Sequence, residues 1–302
     1  MQYFISLTDL HSALIRAIAD EGSVLIEFPS RERKLRKLQE LPRLVTALWR
    51  IARDNESHVH VSHPFTWLTA LASRFSSTLS FFDDGVAYYG RSPLEWGARH
   101  HIMHFLTRRN LDWRAISNIS SPTYADALLH SRIESFYAIF PDLIKAGSFT
   151  VKQVDLQKAF PQRQSSARDG GVALFLDTRN DSLPDVSRED VIAILRNVAD
   201  SHPSGKLLYK PHPSEASAIS VALRDAPWAM ELSGSLEESL ASMDVSSVYS
   251  FFSSGAISVK LVHRDARVIC LIAPGQQVAD GTKRLFARVS ATTVVVGDEQ
   301  SD

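Results

Sequence analysis

The sequence has a single cysteine, Cys270, among 302 residues. A disulfide framework within the chain and a cysteine zinc site are therefore excluded. Cys270 lies in the apolar run Val268-Ile269-Cys270-Leu271-Ile272 and reads as a buried, inert thiol. Long hydrophobic runs are lacking as well. No stretch approaches about 20 uninterrupted apolar residues, so no membrane span is expected. The opening MQYFISLTDLHSALIRAIADEG has no basic flank ahead of a long apolar core and does not read as a signal peptide. The expectation is a cytoplasmic protein. An excess of one charge is missing too: 33 Lys and Arg stand against 34 Asp and Glu. Residues 1–160 carry 19 basic and 16 acidic residues, and 161–302 carry 14 and 18. Neither half has the footprint of a nucleic-acid binder. The densest basic run, RERKLRK at 31–37, reads as a solvated helix start. Its sharper alternative is a peripheral contact with anionic lipid at the inner membrane face.

Several fingerprints are also absent. No G-x-G-x-x-G follows the first strand-like run, and neither G-x-x-x-x-G-K-[ST] nor G-x-S-x-G occurs. Dehydrogenase, P-loop kinase and α/β-hydrolase readings lose their basis. No Asp-x-Asp motif follows a strand, so no metal and no cofactor are expected.

What is present is an alternation of short apolar runs with helix-periodic segments. Strands are predicted at 23–28, 58–62, 78–82 and 135–140, and helices at 34–53, 64–74 and 94–108. The stretch FPQRQSSARDGG at 160–171 is polar, holds Pro and Gly, and has no periodicity. It divides the chain into a domain at 1–160, a linker at 161–171 and a domain at 172–302. Beyond it, strands are predicted at 172–176, 206–210, 228–232, 245–252, 267–273 and 292–296. Helices fall at 187–199, 214–224, 236–243, 254–263 and 278–289. Strands separated by helices predict α/β domains with parallel sheets. Two such blocks predict two Rossmann-like domains, with ligands bound in a cleft at strand carboxyl ends.

Three short constellations sit at predicted strand ends. Asp83-Asp84-Gly85 follows SFF. Neighbouring carboxylates raise one another's pKa, which suits a general base, although Asp and Gly also make ordinary turns. Lys210-Pro211-His212-Pro213 follows a strand, and the flanking prolines hold His212 in extended geometry. An imidazole fixed there can stabilise or protonate a leaving phosphate. Ser253-Ser254-Gly255 stands where a strand turns into a helix, which makes an anion site or a plain serine cap. Two further His-Pro pairs occur. His63-Pro64 follows a strand and suits an acceptor side or a helix start, whereas His202-Pro203 precedes one. Ser246-Ser247 lies at a strand start and suits an anion less well. His100 and His104, in ARHHIMHF, are one helical turn apart but lack a third zinc ligand; a partly buried amphipathic helix is the better reading.

The ordered set resembles the bacterial sialyltransferases of GT-B fold, whose shared motifs are an acidic-Asp-Gly triplet, a His-Pro pair and a serine pair. Here they read FFDDG, YKPHP and SFFSSGA. The chain is most similar to the lipooligosaccharide sialyltransferases, glycosyltransferase family 52, and FYAIFPDL at 136–143 also looks like that family. The resemblance implies two Rossmann-like domains facing across a cleft. It implies an inverting, metal-independent transfer of sialic acid from CMP-sialic acid to a cell-surface glycan or glycolipid, such as lipooligosaccharide or capsule. Asp84 is then the base and His212 the acid or electrostatic stabiliser. Lys210, Pro213, Ser253, Ser254 and Gly255 bind the donor phosphate, Glu237 the ribose, and Asp83, Gly85 and His63 line the acceptor side. The same motifs fit transferases of other CMP-activated keto-sugars such as Kdo. A non-catalytic GT-B binding protein and a nucleotide-sugar epimerase, which takes UDP, are the rival classes. A homodimer and a peripheral membrane contact remain open.

Overall fold

The computed structural model describes residues 1–27, 34–63, 65–83, 85–89, 99–107, 109–145, 147–159, 171–178, 183–212 and 216–297. It divides into two compact units, Met1–Ala159 and Phe160–Asp302. The linker expected at 161–171 lies outside the described residues except for Gly171, whose carbonyl accepts from Ser246 Oγ (3.2 Å) and from His202 Nε2.

The first unit runs β1 (Gln2–Ser6), α1 (Asp9–Ile18), β2 (Val24–Glu27), α2 (Lys34–Arg53), β3 (His58–Val61), α3 (Trp67–Phe75), β4 (Thr78–Phe82), α4 (Val86–Tyr89), α5 (Arg99–Thr107), α6 (Trp113–Ser117), α7 (Tyr124–Leu129), β5 (Ser135–Ala138), a 3-10 turn (Pro141–Leu143), β6 (Thr150–Gln153) and α8 (Leu156–Ala159). Its six strands pair in the order β2-β1-β3-β4-β5-β6, all parallel. Alternate residues bury on opposite faces, as the two-residue period of a strand requires. One face sends Tyr3, Ile5, Val59, Val61, Phe81 and Phe136 into the main core of the unit. The other carries Phe4, His58, His60 and Ser80. There His60 is sandwiched between Phe4 and His58, each ring centroid 4.2 Å away.

The second unit runs β7 (Val172–Leu176), α9 (Arg188–Ser201), β8 (Leu207–Lys210), α10 (Ala218–Arg224), β9 (Ala229–Glu231), α11 (Leu236–Leu240), β10 (Val245–Ser250), α12 (Ser254–Val262), β11 (Arg267–Ile272), α13 (Asp280–Arg288) and β12 (Thr292–Val295). The sheet order is β12-β11-β10-β7-β8-β9, again all parallel. Tyr209, Phe175, Leu207 and Leu271 anchor its core, and Cys270 is fully buried. Burial pushes the Cys270 thiol up to about 12, which fits the inert thiol read from the sequence. Ser187 caps α9 by accepting from Asp190 N–H (3.2 Å).

Both orders are doubly wound. The second unit has the arrangement 3-2-1-4-5-6 when its strands are counted from β7, with a switch point between β7 and β10. The first has 2-1-3-4-5-6, with the switch between β1 and β3. That second switch point is not visible in the sequence reading, which starts its first strand at residue 23. The true first strand, QYFIS, and α1 precede it. The run is only five residues long, lies at the chain start and has no turn signal before it, so no period marks it. No described helix is long and apolar enough to cross a membrane.

Candidate functional site

In the first unit, the turn after β4 is built around Asp83. This residue was expected on the acceptor side, but it is fully buried. Its carboxylate accepts from Gly85 N–H (2.8 Å), Ile139 N–H (3.0 Å) and the Tyr89 hydroxyl, while its own N–H donates to Tyr137 O (2.9 Å). Burial, with the neighbouring Asp83 charge, raises the Tyr89 phenol well above its usual range, so it stays a donor. Asp83 is thus a tie between the ends of β4 and β5 and cannot contact an acceptor. A buried carboxylate is tolerated because its acceptor sites are met by donors. Gly85 closes the turn at φ +71, a conformation that penalises a side chain. Asp84, the expected base, lies outside the described residues. A second tyrosine of α4 fixes the same region: Tyr88 donates to Ser62 O at the end of β3 (2.6 Å).

His63 follows β3 directly and so stands at the switch point of this sheet, with Pro64 outside the described residues. Its Nδ1 accepts from Phe65 N–H (3.2 Å), and its ring stacks on Phe65 and meets Tyr124 edge-on, both at 5.6 Å. The expected helix at 64–74 begins at Trp67, after a Thr66 capping box. Across the switch point, the end of β1 leads into α1, whose N-cap Thr8 accepts from His11 N–H (3.2 Å). His104 packs edge-on against Trp113 at 5.7 Å and is exposed. Among the described residues, no group of three or more His, Cys, Asp or Glu is placed to hold a metal ion.

In the second unit, the turns after β7, β8 and β10 lie side by side, because these strands are neighbours. Lys210 ends β8. Its ammonium donates to Leu232 O (3.1 Å) and to Gly234 O, so it holds the chain leading into α11. That use differs from the expected phosphate contact: two of the three N–H donors of Lys210 are spent on backbone. His212 follows, half-buried, and Pro213 lies outside the described residues. Glu237 is half-buried in the first turn of α11, behind the cap Ser235, which accepts from Glu238 N–H (3.1 Å).

The turn after β10 is sharp. Phe252 takes φ +58, which costs a non-glycine residue about 1–2 kcal/mol. Its ring packs edge-on against Phe286, with centroids 5.0 Å apart. Left-handed backbone in a non-glycine residue is a reason to look for function. Here it turns the chain from strand to helix within three residues. Ser253 is the N-cap of α12, and its hydroxyl accepts from Gly255 N–H (3.3 Å). Ser254 opens the helix. Gly255 has a packing reason as well: a Cβ there would lie 2.7 Å from Leu236 Cδ2 and 3.0 Å from Leu176 Cδ1. The missing side chain lets the start of α12 close on both β7 and α11. Ser246 sits at the opposite, amino-terminal end of β10, as expected.

One residue of this region is not singled out by the sequence. Asp177, directly after β7, accepts from Ser217 N–H (3.1 Å), Ser217 Oγ (2.6 Å), Ser220 Oγ (2.6 Å) and Thr178 N–H (2.8 Å). Ser217 is the N-cap of α10. Asp177 therefore fixes the far end of the loop that carries His212. A lone Asp after VALFL looks like any turn residue, and only Ser217 and Ser220, some 40 residues on, reveal its use.

No protein-family model matches this chain, and no curated protein matches it. Solved structures do. UDP-GlcNAc 2-epimerase of Methanocaldococcus jannaschii, solved with UDP-GlcNAc and UDP, is 12% identical over 99% of this chain and 90% of that one, with a TM-score of 0.51. MnaA of S. aureus, solved with UDP, is 11% identical over 98% and 84%, also with a TM-score of 0.51. The spinosyn forosaminyltransferase SpnP is 10% identical over 100% and 86%, with a TM-score of 0.49. At these identities the likeness is one of fold. The chain has an α/β fold of GT-B type, built from two Rossmann-like units with parallel sheets.

Proposed function

We propose that this protein is an inverting, metal-independent glycosyltransferase. It moves sialic acid, or a related keto-sugar such as Kdo, from a CMP-activated donor to a hydroxyl of a glycan or glycolipid. The observation that supports this most is in the second unit. The turns bearing His212 and Ser253-Ser254 flank β7 at the carboxyl edge of the sheet, beside its switch point. Doubly wound sheets take their ligands at that place. The start of α12 supplies backbone N–H groups and the positive end of a helix dipole, which suit a phosphate. Two proteins of the same fold were solved with UDP, which supports a nucleotide as the ligand class.

In this reading the bond between the anomeric carbon and the CMP phosphate oxygen breaks, and its electron pair leaves with the phosphate. Ser253, Ser254 and the start of α12 take up that charge. His212 stabilises the same oxygen or protonates it. The acceptor oxygen forms the new bond on the opposite face of the sugar and gives its proton to Asp84. Asp83 is tied up inside the fold, which leaves Asp84 as the acid of the pair for that role. Glu237 is assigned to the ribose hydroxyls, and His63 to the acceptor. Lys210 and Asp177 act on position: one holds the approach to α11, the other the loop after His212.

A UDP-sugar epimerase is the second reading, favoured by the UDP-GlcNAc 2-epimerase of similar fold solved with UDP-GlcNAc and UDP. Nucleotide-dependent thermal stabilisation separates the two. At about a hundredfold its Kd, CMP is expected to add about 2.7 kcal/mol to the stability of the protein, and His212→Ala to lose most of that gain. Protection by UDP with none by CMP would overturn the CMP assignment and favour the epimerase.

A further inference from the structure

We propose that the face formed by α2, α3 and α5 of the first unit docks on an anionic lipid bilayer. α3 packs against both other helices, so the three make one continuous surface. Six large apolar side chains stay 44–60% exposed on it: Val45, Trp49, Trp67, Phe75, Ile102 and Phe105. Val45 and Trp49 are one helical turn apart on α2, and Ile102 and Phe105 one turn apart on α5, so each pair shares a helix face. Guanidinium groups lie among them. Arg53 covers the Trp49 ring at 4.5 Å, and Arg74 of α3 reaches over Phe105 of α5 at 5.6 Å.

Charge gives the occupant. The three helices hold eight Lys and Arg against one acidic residue, Glu40. The first unit as a whole has 19 basic and 16 acidic residues, so outside these helices acids outnumber bases, 15 to 11. Among the described side chains of the three helices, Arg43, Arg50, Arg53 and Arg74 carry charge and none is acidic, so the face that exposes the aromatics is positive. A second copy of the same face would be repelled. Aromatic rings with Arg fit the headgroup region of a membrane, where the ring enters and the guanidinium meets lipid phosphate. Val45 and Ile102 speak for lipid over nucleic acid, since aliphatic side chains enter acyl chains but offer a base no stacking face.

Co-sedimentation with vesicles tests this. The full chain is expected to pellet with phosphatidylglycerol-containing vesicles, to be released by salt, and to stay in solution with phosphatidylcholine alone. Arg50→Gln with Arg53→Gln is expected to weaken binding about thirtyfold, taking roughly a factor of five per charge. Trp49→Ser with Ile102→Ser is expected to weaken it at least about tenfold. All four side chains are exposed, so an unchanged thermal midpoint confirms the fold of each variant. No binding to the phosphatidylglycerol vesicles, equal binding to phosphatidylcholine, or undiminished binding by both variants would each overturn the proposal. Binding to single-stranded DNA in place of vesicles would overturn it too and give the face to nucleic acid.

Discussion

Asp83→Asn is expected to cripple folding while its neighbour Asp84→Asn cripples turnover. The Asp83 carboxylate accepts from Gly85 N–H, Ile139 N–H and Tyr89 Oη with no exposure to water. An amide in its place turns one acceptor oxygen into a donor that faces other donors. Removing one side of a buried charged network costs about 3 kcal/mol or more. For a unit of this size that lowers the thermal midpoint by roughly 6–12 °C. Asp84→Asn removes the proposed general base and is expected to slow transfer by about 10²–10⁴-fold, with CMP binding and the midpoint nearly unchanged. Calorimetry and a turnover assay on both variants check the pair. Normal turnover by Asp84→Asn would remove it as the base, and a wild-type midpoint for Asp83→Asn would remove the tie.

The second large effect concerns acid. His60 is buried in the sheet of the first unit, stacked between Phe4 and His58, and neither ring nitrogen has a hydrogen-bond partner. Burial, helped by His58 and Lys152, pulls its pKa down to about 3. The unfolded chain has an ordinary histidine near 6.5. Between those two values the unfolded state binds a proton that the folded state does not, so stability falls as pH falls. The slope from His60 alone is about 1.4 kcal/mol per pH unit below roughly pH 6.5, and none remains above it. His58, half-buried and also lowered chiefly by burial, adds in the same direction. His60→Phe keeps a ring in the stack and removes the titration. Urea unfolding at about pH 7 and about pH 5 is expected to show a loss near 2 kcal/mol in the wild type and a clearly smaller one in the variant. Equal losses in both would show that His60 is not the cause.

Much of the architecture is legible in the sequence because strand and helix periods alternate cleanly. The helix at 34–53 is found at its observed bounds, and the strands at 78–82 and 172–176 likewise. The three motif turns are found because Pro, Gly, Asp and Ser punctuate the ends of apolar runs. What stays hidden depends on distant partners. QYFIS pairs with β2 and β3, and without it the switch point that gives His63 its place is missing. Lys210 looks like a phosphate ligand until the carbonyls of Leu232 and Gly234 are beside it. Asp83 and Asp84 look alike in sequence, and the bond from Ile139, 56 residues away, is what fixes the role of Asp83. Asp177 offers no local signal at all. Residue types at strand ends thus mark candidate positions, while tertiary contacts decide which of them are held as structure.

A donor screen read as nucleotide release tests the central claim most directly. CMP-sialic acid, CMP-Kdo and a UDP-sugar are each offered to the protein with a hydroxyl-bearing glycan acceptor. The predicted result is acceptor-dependent release of CMP from a CMP-sugar, with the product of inverted configuration, no release of UDP, and loss of turnover in His212→Ala. Turnover of the UDP-sugar with none of either CMP-sugar would contradict it.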